Sequence, residues 1–239
     1  MMINHVCDEN DWIGPDDIKG VKTLILGSFN PYNPNGNNTD FYYGRKCNHS
    51  WKVYGRQSNY FWKVVASLLD ENENYFTGNL ENKLRVMNDY KFCFMDIITS
   101  IEITSPNREE AIVEQFCNDH IFENLTDSML FKSTYNKGLI NISRTYNKSI
   151  IDTVVNKKIN RIIHTIGNRK ISPNFVTKPL EIELGDNGFQ GYINSINNLE
   201  SEFNKLSYNP SAYAVRTGGI DYLQNLTIWI SENLGINQN

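Results

Sequence analysis

Apolar positions follow two rhythms along this chain. Residues 21–26 (Val-Lys-Thr-Leu-Ile-Leu) are a short apolar run rich in strand formers. The run ends on Gly27, and Pro31 and Pro34 forbid a helix directly after it. In residues 60–69 the period lengthens. Phe61, Val64, Val65, Leu68 and Leu69 recur at helical spacing, and Leu80, Leu84 and Met87 mark an amphipathic helix over 80–90. Residues 91–98 (Lys-Phe-Cys-Phe-Met-Asp-Ile-Ile) predict a second buried strand, with Asp96 near its carboxyl end. Ser105-Pro106-Asn107 then opens a helix at 108–117, with Asn107 as N-cap and Glu109 and Glu110 in the first turn. Residues 119–150 predict a short helix and surface structure, with strand character at 132–141. A helix over 149–157 leads into a third strand over 161–166, ended by Gly167. Residues 168–203 are irregular, with short strands at 180–184 and 190–194. A fourth strand at 205–208 is broken by Asn209-Pro210-Ser211, and Gly218-Gly219 precedes a final amphipathic helix over 220–234.

This alternation implies an α/β fold, a doubly wound three-layer sandwich with a central, mostly parallel four-stranded sheet in a single domain. Ligands of open α/β sheets bind at the carboxyl ends of the strands. The loop delivered there by the first strand is long, carries few charges, and holds Phe41-Tyr42-Tyr43-Gly44-Arg45 and Asn59-Tyr60-Phe61-Trp62. Long loops at such an edge are more often functional than idle. Tyr54-Gly55-Arg56 with Asn59 echoes Tyr43-Gly44-Arg45 with Asn48, which reads as an insertion rather than a repeat.

Composition narrows the class. The 239 residues are 40% hydrophobic, enough for a sizeable core, and the net charge is −4. A pI of about 5.6 excludes a uniformly basic nucleic-acid coat and leaves room for a local patch, for which Arg45, Lys46, Lys52 and Arg56 are candidates. The four cysteines form no Cys-x-x-Cys pair, so their spacing predicts no metal site, and Cys93 and Cys117 are expected to be buried thiols. No signal-peptide pattern opens the chain, and no apolar run approaches the about 20 residues that span a bilayer. The expectation is a cytoplasmic, membrane-free protein.

Three loops, each after a predicted strand, carry further text. They are Leu24-Ile25-Leu26-Gly27-Ser28-Phe29-Asn30-Pro31 with the aromatic segments that follow; Phe94-Met95-Asp96-Ile97-Ile98 with Glu102 and Ser105; and Leu206-Ser207-Tyr208-Asn209-Pro210-Ser211-Ala212. Together they resemble the uracil-DNA glycosylase superfamily, in particular its hypoxanthine-DNA glycosylase and mismatch-specific branches. The resemblance spans roughly residues 20–235. It implies a DNA-binding, metal-free and cofactor-free monomer that hydrolyses the N-glycosidic bond of a deaminated base. The hypoxanthine branch's catalytic Asn falls on Asn59, which alone is followed by Phe-Trp and an apolar helix. The mismatch branch's falls on Asn30. Three features depart from the family: Pro31 is followed by Tyr32 rather than Gly, a His-Pro pair is missing, and about ten extra residues precede Asn59.

The chemistry such a site needs can be matched to residues. A base must leave the duplex and enter a pocket with a flat wall. Phe29, Phe41, Tyr42 and Tyr43 are candidates to stack on it, or are core. An Asn side chain donates and accepts, which suits a base edge, and it also caps helices. Both roles stay open for Asn59. Backbone N–H groups around Ser28, Phe29 and Asn30 would stabilise charge on the departing base, and the Gly27-to-Pro31 backbone would bind it. Asp96 is a candidate general base or a carboxylate capping its own turn. Asn209, Pro210, Ser211, Ala212 and Arg216 would hold DNA, with Ser211 on a phosphate and Ala212-Tyr213 wedged into the stack. His164, in an apolar strand, is expected to be a core histidine. The alternative function is a base- or nucleotide-binding module that does not cleave; a third reading is an unrelated small-molecule hydrolase.

Overall fold

The structure is a computed structural model that describes residues 1–6, 13–34, 52–53, 56–57, 59–122, 125–130, 134–147, 149–165 and 207–236. Two sheets share one hydrophobic cluster. The first is parallel and three-stranded, with β2 (Thr23–Gly27) between β5 (Phe92–Asp96) and β9 (Arg161–His164). Every residue of β2 and β5 is buried, which is why both read as unbroken apolar runs rather than alternating ones. The second sheet is antiparallel, in the order β1 (Met2–Asn4), β6 (Ile98–Thr104), β8 (Ile140–Tyr146), β7 (Thr134–Tyr135). A two-stranded ribbon, β3 (Lys52–Val53) and β4 (Arg56–Gln57), completes the strands among the described residues.

Helix α1 (Phe61–Leu68) follows the first long loop, and α2 (Leu80–Tyr90) returns the chain to β5. Phe61 is fully buried, with its ring edge-on to Trp62, Phe92 and Phe94 at 5.2–6.1 Å. The start of α1 is thereby anchored to the face of β5 that carries Phe92 and Phe94. After β8 come α5 (Ser149–Lys157) and β9, and the last helix is α6 (Ala212–Leu234). Between lie α3 (Glu110–Phe116), a π-helical turn (Cys117–Phe122) and α4 (Asp127–Leu130).

The mixed α/β class agrees with the sequence, but the sheet does not match in full. Among the described residues the parallel sheet has three strands, and a four-stranded antiparallel sheet stands beside it. Ser207 and Tyr208 are not in a strand, and Lys205 and Leu206 lie outside the described residues. The apolar run of 91–98 is divided at Ile97: Asp96 ends the parallel strand and Ile98 begins the antiparallel one. Asn147 ties the junction, its N–H donating to the Ile97 carbonyl at 2.8 Å and its Nδ2 to that of Asp96 at 3.1 Å. Asn107 does not cap α3. Its amide bonds the Glu109 carboxylate at 3.1 Å, Arg108 takes a left-handed φ of 57°, and the cap position falls to Glu109. Cys93 and Cys117 are buried free thiols, as expected, and burial pushes the Cys117 thiol up to about 11. Among the described residues no helix is long and apolar enough to cross a membrane, and no group of His, Cys, Asp or Glu is placed to hold a metal ion.

Candidate functional site

Two loops far apart in sequence meet at the start of α1. Asn59 and Ser211 form an antiparallel bridge, and the Tyr60 N–H donates to the Pro210 carbonyl at 2.7 Å. The Asn59 side-chain oxygen accepts from the Phe61 N–H at 2.8 Å, so Asn59 satisfies a helix-terminal donor, as an Asn in this position commonly does. The other half of the junction is just as ordered. Asn209 Oδ1 accepts from the Ser211 N–H at 2.8 Å, and Ser211 Oγ accepts from the Ala214 N–H at 3.3 Å as the N-cap of α6. The Tyr222 hydroxyl accepts from the Asn209 N–H at 2.9 Å and donates to the Asn209 carbonyl at 3.1 Å. Three local Asx or Ser turns and one tyrosine clamp thus fix the backbone of both loops.

A second cluster sits at the carboxyl ends of β2 and β5, where Gly27 pairs with Asp96. The carbonyls of Gly27 and Ser28 accept from the N–H groups of Ile97 and Ile98 at 3.0 and 3.1 Å. Asp96 is completely buried, and His5 Nε2 lies 2.7 Å from its Oδ2. Side chains alternate along a strand, so Asp96 projects to the same face of β5 as Phe92 and Phe94, the face on which Phe61 packs. The first turn of α1 and the Asp96 carboxylate therefore share one face of the sheet.

The predicted residues divide accordingly. Asn59, Asn209, Pro210 and Ser211 are brought together; Gly27, Ser28, Phe29, Asn30 and Pro31 gather around Asp96 and His5. Three assignments need correcting. Phe29 is only 3% exposed and lies edge-on to His5 (centroids 5.6 Å apart, 73° between planes), so it is a core ring and not an open stacking face. Ala212 is buried, so it does not reach outward, whereas its neighbour Tyr213 is 56% exposed. Asp96 is fully buried with His5 Nε2 2.7 Å from its Oδ2, so its carboxylate is not an open, solvent-facing base. Arg216 is exposed. Phe41, Tyr42, Tyr43, Arg45, Lys46 and Asn48 lie outside the described residues, as do the side chains of Lys52 and Arg56.

No family model, curated protein or solved structure matches this chain.

His5 escapes sequence reasoning altogether. Its partner is 91 positions away, and the only local signal is Ile3 in a three-residue strand. Tyr32 was legible only as a departure from the family pattern, yet it is 48% exposed directly after the loop. His164, at the end of β9, has its Nδ1 shielded from solvent, and burial pushes its pKa down to about 4. An unfolded His titrates near 6.5, so between roughly pH 6.5 and 4 the unfolded chain binds the extra proton. Stability should fall on acidification through that window, by at most about 1.4 kcal/mol per pH unit from this group. His164→Gln should flatten that slope in urea melts at pH 7 and 4.5; an unchanged slope would assign the acid sensitivity to other groups.

Proposed function

We propose that this chain is a monofunctional DNA glycosylase that hydrolyses the N-glycosidic bond of a deaminated base, uracil or hypoxanthine, in base-excision repair. It acts as a monomer on a flipped base, with no metal or cofactor. The observation that carries the reading is the junction of Asn59 with Asn209-Pro210-Ser211. Two motifs of the one resemblance, far apart in the sequence, meet backbone to backbone. In this reading a water oxygen bonds to the sugar's anomeric carbon as the base departs with the electron pair of the broken C–N bond, and the proton the water loses ends on the released base. Asn59 orients the water or the base. The backbone around Ser28 to Asn30 offers N–H groups to the leaving base. Tyr32, exposed where Phe29 is not, supplies a stacking face, and Ser211 and Arg216 contact phosphates. The reading carries the finer fold with it: a doubly wound three-layer sandwich with a central, mostly parallel four-stranded sheet.

One observation favours the second reading, a binding module that recognises a base without cleaving it. Asp96, the candidate base, is fully buried and bonded to His5. Oligonucleotides bearing a single uracil, hypoxanthine or xanthine separate the two. Release of free base, followed by alkaline scission at the abasic site, is expected under the first. Lesion-selective binding without release selects the second, and neither result sinks both.

A further inference from the structure

The chain start is threaded between the antiparallel sheet and the first loop. On one side β1 pairs with β6, and the pairing runs on, the His5 N–H donating to the Thr99 carbonyl at 3.1 Å. On the other side the Val6 N–H donates to the Asn30 carbonyl at 2.8 Å and the Tyr32 N–H to the Asn4 carbonyl at 2.9 Å, with His5 bridged to Pro31. Residues 4–6 thus act as a strap, adding the 30–32 loop to the sheet as an outer edge. The His5 side chain completes the hold. Its Nε2 meets Asp96 Oδ2 at 2.7 Å, and its ring lies against Phe29.

We propose that His5 is a positioning residue, which fixes the Ser28–Pro31 loop over the end of the parallel sheet by joining Asp96 to Phe29. The inference deepens the glycosylase reading and rests on it for the role of the loop. A carboxylate that is wholly buried needs a partner. The carboxylate oxygen can accept from the ring nitrogen when that nitrogen carries its hydrogen, which makes the imidazole the natural partner for it. With the ring held from Asp96, Phe29 cannot shift, and the amides on either side of it are set in place. Donors aimed at a departing base act only if they are set before the reaction.

The test uses the full chain. In His5→Ala, kcat for base release should fall about 10- to 100-fold while KM stays within about 2-fold, the pattern expected when loop geometry loosens. His5→Gln, whose amide restores a donor to Asp96, should recover most of it. Hydrogen–deuterium exchange gives a second readout that needs no activity. Peptides covering 2–6 and 28–34 should exchange about 10-fold faster in His5→Ala, with β5 and α1 unchanged. Unchanged exchange in those peptides overturns the proposal, and so does acceleration across the whole chain, which would make His5 merely structural. If the wild type releases no base, the glycosylase reading fails while exchange still decides the strap. If His5→Ala does not fold, Asp96→Asn takes its place: it weakens the same link, and the same peptides must quicken.

Discussion

Asn59→Ala should lower base release by about 10²- to 10³-fold, the range seen when one polar group acting on the transition state is removed. The same substitution removes the oxygen that accepts from the Phe61 N–H, which should cost about 1 kcal/mol of stability. The two effects separate in Asn59→Asp. Aspartate keeps an oxygen for the Phe61 N–H and is favoured at a helix N-terminus, so stability should hold. It lacks the amide N–H groups with which Asn reads a base or holds a water, so release should stay low. Single-turnover kinetics beside urea melts measure both. Asn59→Asp with near wild-type release would show that Asn59 only caps α1, and the glycosylase reading would lose its central residue.

What the sequence revealed depends on how local each signal was. Helices α1, α2 and α5 and strands β2 and β5 were legible because periodicity, or a continuous apolar run, lies within a dozen residues. Gly27 was placed as a strand end and Asp96 near the end of a strand drawn through Ile98, which located the edge of the parallel sheet but not the break at Ile97. The antiparallel sheet was obscured for two reasons. Residues 92–98 are apolar apart from Asp96, so the change of sheet at Ile97 has no compositional mark. In β8, Ile140, Ile142 and Tyr146 alternate with polar residues, but Arg144 occupies an inward position, buried and hydrogen-bonded through Nε to the Leu130 carbonyl. A buried arginine interrupts the pattern that would have announced the strand. The candidate site was half legible. Motif text selected Asn59 and Ser211, whose meeting is set by backbone bonds. It gave no access to the His5–Asp96 contact, which arises only when β1 is laid against β6.

Gly218→Ala should destabilise the protein by about 1–3 kcal/mol, although alanine is the better helix former by about 1 kcal/mol. The reason is the break in α6. Gly219 has φ 70° and ψ −162°, a combination essentially reserved for glycine, and the helix restarts beyond it. The offset brings Tyr222 over Gly218: a Cβ at 218 would stand 2.4 Å from Tyr222 Cβ and 2.6 Å from Cγ. A Cβ is fixed to the backbone and cannot swing aside, and Tyr222 Cβ is equally fixed, so the helix itself must move. The tyrosine hydroxyl would then leave the N–H and carbonyl of Asn209, releasing the Asn209-Pro210-Ser211 turn. Tyr222→Phe isolates that second step. It should cost about 1–3 kcal/mol for the abandoned Asn209 groups, without a clash. Urea denaturation of both variants, with lesion-oligonucleotide binding measured on the folded protein, checks the account. Weakened binding in both ties the glycine pair to the candidate DNA contact. A Gly218→Ala protein as stable as wild type would mean that α6 does not break at Gly219.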